Sequence, residues 1–345
     1  MSIQRVYLGT YTDGDSDGIY RCTMDERTGR LTNVELAAET ENPSFLAVNP
    51  RRDHLYAVNE VDDGAVTAFE IGADGELTFL DEQVIGPANP CYCSVDATGQ
   101  YLLVAHYTGG AVSILAVEDD GLGEATIHDH EGKSVHPERQ TAPHPHSITP
   151  GPQNEFVYVP DLGTDEVVVY DLDLAAGTLE RHESVFVHEG AGPRHLEFGP
   201  GGERGYLINE LDSTLSVFEQ DASGGLVHVD TVDTVTSDYD GDNFTADVHV
   251  HPSGEYVYGS NRGHDSIAVV DCSNGTVGLV DTEPTRGEWP RNFALSPRGE
   301  YLFAANARSD TVSPFAVERE TGSLKAAGEP VEVPHPVCIL PVDDW

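Results

Sequence analysis

The sequence predicts an all-β protein, a seven-bladed β-propeller with four antiparallel strands per blade and one blade shared between the N- and C-termini. Three observations carry this. Short alternating apolar runs are separated by Gly, Pro, Asn and Asp along the whole length, a period of two rather than a helical period. A hairpin of fixed internal spacing recurs six times. The two terminal runs are complementary halves of one further copy.

The clearest copy is GAGPRHLEFGPGGERGYLINE, Gly190 to Glu210: an alternating strand, a turn at GPGGE, and a return through YLI to Asn209. Sixteen positions separate Pro193 from Asn209, and the same interval runs from Pro43 to Asn59, Pro90 to His106, Pro145 to Asp161 and Pro290 to Asn306. Thr245 to Asn261 keeps the spacing without the proline. The turns NPRRD, DATGQ, GPQNE, GPGGE, HPSGE and SPRGE correspond. Self-similarity at about 45 to 55 residues with four short strands per copy is the period of a propeller blade. HPVCILPV starts like a repeat at Pro336, and QRVYLGTYT resembles its missing second strand. Pairing the two closes the ring and leaves no strand edge exposed.

Taken in order, GIYRCTM and the strand after DERTGRL are outer strands of the shared blade. PSFLAVNP, HLYAVNE, AVTAFEI and LTFLDEQ form the next, and CYCSVDA, YLLVAHY and AVSILAV open the third. An irregular insertion follows at about 118–142, rich in acids and histidines, and it runs into PHPHS; long loops of this kind serve function, and it is expected to cover or shape the rim. The remaining copies follow without a dividing linker, so residues 1–345 are expected to form one domain.

The 345 residues carry 60 acidic against 18 basic side chains, a formal net charge of -42, and Lys133 and Lys325 are the only lysines. Nucleic acid and anionic membranes are bound through basic patches, so neither is an expected partner. An acidic surface of this kind is expected of a halophilic protein, in which salt screens the self-repulsion. No apolar run approaches the roughly 20 residues that span a bilayer, and MSIQRVYLGT does not read as a leader, so a cytoplasmic protein is expected, a monomer or weak dimer. Cys91 and Cys93 are expected on one face of a strand; with five cysteines in all and no paired zinc spacing, free buried thiols in a reducing compartment are the reading. HPH at 144–146 and HVH at 249–251 lack a third nearby ligand, and no metal is expected.

In a propeller the first strand of each blade lines the central channel. Just after the anchors stand Ser44, Cys91, His146, Arg194, Ala246, Arg291 and Val337; one step on stand Phe45, Tyr92, Ser147, His195, Asp247, Asn292 and Cys338. After the sixteenth residue come Glu60, Tyr107, Leu162, Glu210, Arg262 and Ala307. All three columns should converge on one mouth. Arginine's planar fork grips carboxylate or phosphate, so Arg194, Arg262 and Arg291 point to an anionic ligand, unless each pairs with a rim acid such as Glu210, Asp247 or Glu60. His146 has the ordinary pKa of a general base. Glu210 would orient it, activate water, or hold Arg194. His195, Arg291, Asn292, His264, Glu60 and His106 are the candidate substrate contacts.

The runs YLGTYT, NPSFLAVNP, PHPHS, VYVPDLGTDEVVVY, GPRHLEFGP, YLINEL, SNRGHDSI and WPRNFALSP resemble the lactonase family of seven-bladed propellers over nearly the whole chain. That family includes the propeller-type 6-phosphogluconolactonases and a fungal carboxy-muconate lactonising enzyme. The resemblance implies that His146 of PHPHS, Arg194 of GPRH, Glu210 of INEL and Arg262 of SNRG form the catalytic site. It further implies a cofactor-free enzyme whose partner is a small anionic lactone. Hydrolysis of a sugar lactone, 6-phosphogluconolactone or a related aldonolactone, is the leading expectation. Lactone formation by a carboxy-cis,cis-muconate cycloisomerase and a non-catalytic binding propeller are the alternatives.

Overall fold

The computed structural model describes residues 3–342 apart from 120 and 274. Seven antiparallel sheets carry the innermost strands Pro43–Val48, Pro90–Val95, Thr149–Pro150, Pro193–Phe198, Phe244–Val250, Pro290–Leu295 and Pro336–Val342, which define blades 1 to 7. In blades 1 to 6 the later strands follow outward in chain order; in blade 7 the C-terminal strand pairs with Ile3–Thr10, which continues outward through Gly18–Asp25 and Arg30–Glu39. The inner elements touch from blade to blade, and blade 7 meets blade 1, so the ring is closed.

Apolar alternation becomes packing between blades. Along Tyr101–His106, Leu102 and Val104 face blade 1, whereas Leu103 and Ala105 face blade 3. Val6 and Leu8 likewise face blade 6, and Tyr7 faces blade 1. Successive strand residues point to opposite faces, so a strand held between two blades is apolar on both. Hydrophobic clusters fill all seven junctions.

The sixteen-residue interval is a strand pairing. Pro43 lies opposite Asn59, Pro90 opposite His106, Pro145 opposite Asp161, Pro193 opposite Asn209, Thr245 opposite Asn261 and Pro290 opposite Asn306. Pro336 finds the equivalent partner in Thr10. The far member of each pair is a buried polar clamp: Asn59 donates to Thr40 Oγ1 (2.8 Å) and the Glu41 carbonyl (2.6 Å) and accepts from Thr67 Oγ1 (2.7 Å). His106 occupies the same station, bridging the Pro87 carbonyl (3.1 Å) and Ser113 Oγ (2.8 Å).

Just inside the anchor, one extra residue interrupts the pairing. Pro193 opposes Asn209 but His195 opposes Ile208, leaving Arg194 bulged; Ser44, Cys91 and Arg291 are bulged in the same way. The bulge overturns the expectation that Cys91 and Cys93 share a face: Cys91 Sγ lies against Pro145 and His146 of blade 3, and Cys93 Sγ against Phe45 and Tyr56 of blade 1. Part of the 118–142 stretch is also regular, because Thr126–Asp129 pairs with Ala111–Ile114 as the outer strand of blade 2. The irregular strap is 130–144. It is tied down by His130 Nδ1 to Asp161 (2.7 Å), Ser134 Oγ to Asp165 (2.5 Å), and Gln140 Nε2 to Asp165 (2.6 Å) and the Leu162 carbonyl (2.9 Å).

A variant truncated after His335 leaves Ile3–Thr10 as an open edge. It is expected to lose cooperative thermal unfolding and to self-associate on size exclusion; a monomer with an unchanged melting transition would contradict ring closure as the source of stability.

Candidate active site

The bulges and the ends of the second strands open on the same face, where they bound a cleft of about 470 Å³. Blade 7 supplies Tyr11, blade 1 Glu60, blade 2 Cys91 and Tyr107, blade 3 His146, blade 4 Glu210, blade 5 Phe244 and Arg262, blade 6 Trp289 and Arg291, and the strap Arg139. Every blade therefore contributes to one hollow.

Glu210 organises it. Its Oε1 accepts from Arg139 Nη2 (2.6 Å), and its Oε2 accepts from Arg194 Nε (3.0 Å) and pairs with Arg262 Nη2 (2.8 Å). Burial alone would push this carboxyl up, but the charges of Arg262, Arg194 and Arg139 outweigh it and hold the group well below the usual carboxylate range. Arg194 is immobilised further by the Ala246 carbonyl and by His195 Nε2 (3.1 Å). Burial and the neighbouring Arg262 and Arg291 push it down to about 9, still charged at neutral pH. Arg262 is fixed to the Phe244 (3.1 Å) and Thr245 (2.9 Å) carbonyls. Of the roles open to Glu210, the geometry fits that of holding the arginines; both its oxygens are engaged by guanidinium groups.

Arg291 stands apart. Its nearest acid is Glu60 at 4.0 Å, whose Oε2 already accepts from Tyr11 OH (2.9 Å), and its guanidinium lies over the Tyr11 ring at 5.4 Å. Four arginines share two carboxylates, Glu60 and Glu210; Arg139, Arg262 and Arg291 line the cleft and Arg194 lines the narrow chamber next to it, so the site is cationic within an acidic protein.

His146 is buried on the floor, its backbone N–H donated to the Pro160 carbonyl (3.0 Å) and its ring edge-on to Tyr107 and His195. Burial, then the charges of Arg194, His195 and Arg291, push its pKa well below 6.5, so it is a neutral base at physiological pH. Cys91 Sγ lies 3.7 Å from His146 Nδ1. Burial pushes that thiol up to about 12, which keeps it protonated and unsuited to nucleophilic attack.

The other expected contacts are distributed differently. His195 and Asn292 sit in a narrow chamber beneath the cleft. His195 Nδ1 meets Asp247 Oδ1 (2.8 Å), and Asn292 donates to Asp247 Oδ2 (2.5 Å) and accepts from the Ile339 N–H (2.6 Å). Glu60 lines the cleft. His106 and His264 do not: His106 is the polar clamp of blade 2, and His264 turns aside to Ser266 Oγ (2.7 Å) and the Tyr239 ring. The histidines of HPH and HVH have separate partners, His144 the Tyr107 carbonyl (2.8 Å), His249 Glu197 (2.7 Å) and His251 Ser253 (2.8 Å). Sequence reasoning missed Tyr11, Phe244, Trp289 and Arg139. Tyr11 follows Thr10 as Glu60 follows Asn59, and Phe244 and Trp289 immediately precede their anchors, so the repeat alone would have found these three. Arg139 lies outside the repeat.

The family model "Lactonase, 7-bladed beta-propeller" matches residues 5–341. The chain belongs to this lactonase family. It is 36% identical over 340 residues to the 6-phosphogluconolactonase of Bacillus subtilis (strain 168), covering 96% of this chain and 97% of that relative. The 6-phosphogluconolactonase of Formosa agariphila is 31% identical, with 93% and 94% covered. Among solved structures, the periplasmic gluconolactonase of Pseudomonas aeruginosa superposes with a TM-score of 0.93 at 30% identity, covering 99% of each chain.

Replacing Glu210 by Ala in this family member strands three cations, two of them buried, and is expected to cost about 3–5 kcal/mol in urea unfolding. Its carboxyl titrates below the ordinary 4.5, so the stabilisation is complete above that value and is lost as pH falls through the depressed one. The gap between wild type and variant should therefore be constant at neutral pH and narrow only in strong acid. A gap that closed near pH 6 would refute the hub.

Proposed function

We propose that the protein hydrolyses an anionic sugar lactone, 6-phosphogluconolactone or a related aldonolactone, to the open-chain acid. The observation that carries this is a neutral imidazole on the floor of a cleft where guanidinium groups outnumber carboxylates and one of them, Arg291, stands 4.0 Å from its nearest carboxylate. The names of the relatives support the reaction class.

His146 takes a proton from water as the oxygen attacks the lactone carbonyl carbon. The carbonyl electron pair moves onto oxygen, and Arg291, with Arg194 buried beside it, stabilises that oxyanion. Collapse restores the carbonyl, breaks the ring C–O bond, and returns the proton from His146 to the departing alkoxide. Glu210 contributes by fixing Arg194 and Arg262 in a low-dielectric site, where preorganised charge costs no rearrangement during reaction. An anionic substrate partly neutralises the arginines that depress His146, which strengthens the base when the site is filled.

His146→Ala is expected to lower kcat about 100- to 10,000-fold with the fold intact, and Arg291→Gln about 100- to 1,000-fold. Because His146 titrates well below 6.5, kcat/KM should stay flat from pH 8 through 6.5 and fall only in more acidic solution. Full activity in both variants would remove the assignment, and an acid limb centred at 6.5 would remove His146 as the base.

We also infer a cytoplasmic, salt-adapted setting within carbohydrate metabolism, supported by the charge of -42 and by five free, buried cysteines. Screening of self-repulsion should raise the melting temperature steadily between 0.1 and roughly 2 M KCl; a melting temperature independent of salt would argue against it.

A further inference from the structure

The arginines around Glu210 fall into two depths. Arg194 and Arg262 expose only 2% and 6% of their side chains and are locked to backbone carbonyls, whereas Arg139 exposes 34%. Its Nη2 spans Glu210 Oε1 (2.6 Å) and Tyr107 OH (3.1 Å). Glu210 remains paired with two buried cations if Arg139 lets go, so Arg139 can exchange one carboxylate oxygen for a ligand anion without leaving a buried charge alone. Withdrawing Arg194 or Arg262 would expend their backbone hydrogen bonds as well.

The backbone carrying Arg139 is pinned by hydrogen bonds on both sides. His136 Nδ1 accepts the N–H groups of Glu138 (3.3 Å) and Arg139 (3.1 Å), and buried Gln140 is anchored on Asp165 (2.6 Å). Asp165 also accepts from the N–H groups of Gly190 (2.7 Å) and Gly192 (2.8 Å), the turn leading into Arg194. One carboxylate thus holds the strap in fixed relation to the catalytic floor. The strap presents a flexible, forked side chain from a fixed base.

We propose that Arg139, with Tyr107 OH beside it, binds the phosphoryl group of the substrate and sets the preference for phosphorylated over neutral lactones; this rests on the lactone-hydrolase reading above. The floor, with His146, Arg194 and Arg291, meets the carbonyl that every sugar lactone has. The mouth meets the group that only a phosphorylated lactone carries. A guanidinium fork and a phenol hydroxyl together offer the several donors that a phosphate's three peripheral oxygens accept.

The test compares kcat/KM for 6-phosphogluconolactone and D-glucono-δ-lactone in wild type, Arg139→Gln and Arg139→Lys, with melting curves confirming that each folds. The ratio of phosphorylated to neutral turnover should fall about 10- to 100-fold in Arg139→Gln, chiefly through KM, and by less in Arg139→Lys, which keeps the charge but loses the fork. An unchanged ratio, or equal losses on both substrates, overturns the role of Arg139 and leaves the lactonase reading standing. A wild-type enzyme that prefers neither substrate overturns it too. Failure of wild type to open either lactone overturns the lactonase reading itself.

Discussion

The structure depends on one constraint repeated in every blade: the first strand carries one residue more than its partner across a closed ring. Closure fixes both ends of each inner strand, because the anchor is paired to a buried polar clamp and the lower strand is packed against two neighbouring blades. The surplus residue cannot be absorbed by sliding, since a one-residue slip would send the apolar face of the strand to the wrong side. It is therefore expelled at the one place where pairing is interrupted. Arg194 and Arg291 occupy that position, and a β-sheet in regular register would have turned them toward a neighbouring blade rather than the axis.

Concentrating cations at that point is unfavourable in itself, and Glu210 makes it possible. Three guanidinium groups around one buried carboxylate satisfy its lone pairs and repel one another, so the cluster is held by geometry as much as by attraction. Arg291, 4.0 Å from Glu60, is the least closely paired of the four guanidinium groups, and in the proposed mechanism it is the one that meets developing negative charge.

The repeat was legible because its cause is local: strand period, turn residues and the sixteen-residue pairing are all written in consecutive sequence. The columns that it defined brought His146, Glu210, Arg262, Arg291 and Glu60 to a common cleft. His106 misled because a clamp needs only a donor and an acceptor at fixed reach, which imidazole offers as well as the asparagine amide of blades 1, 4, 5 and 6 does. His264 follows Arg262 in sequence but leaves the strand end, so its side chain turns away. Cys91 and Cys93 show the limit of a period-two rule, which fails wherever a bulge adds a residue. Thr126–Asp129 was hidden in a charged stretch because this outer strand is mostly exposed and lacks the apolar alternation of an inner one. Arg139 had no periodic signal at all; its position is set by Asp165, which lies 26 residues further along the chain.

This difference in origin separates two tasks. The floor is made by residues whose positions follow from the repeat, so it can change only if the ring does. The strap is an excursion beyond it, anchored at Asp161 and Asp165, and can be lengthened or rewritten at the cost of local contacts alone. A propeller built this way can keep the floor of its cleft while altering the side chains at its mouth. If Arg139 reads the phosphoryl group as proposed, changing that one strap side chain shifts the preference between phosphorylated and neutral lactones while the ring, with His146 and Arg291 on it, stays as it is.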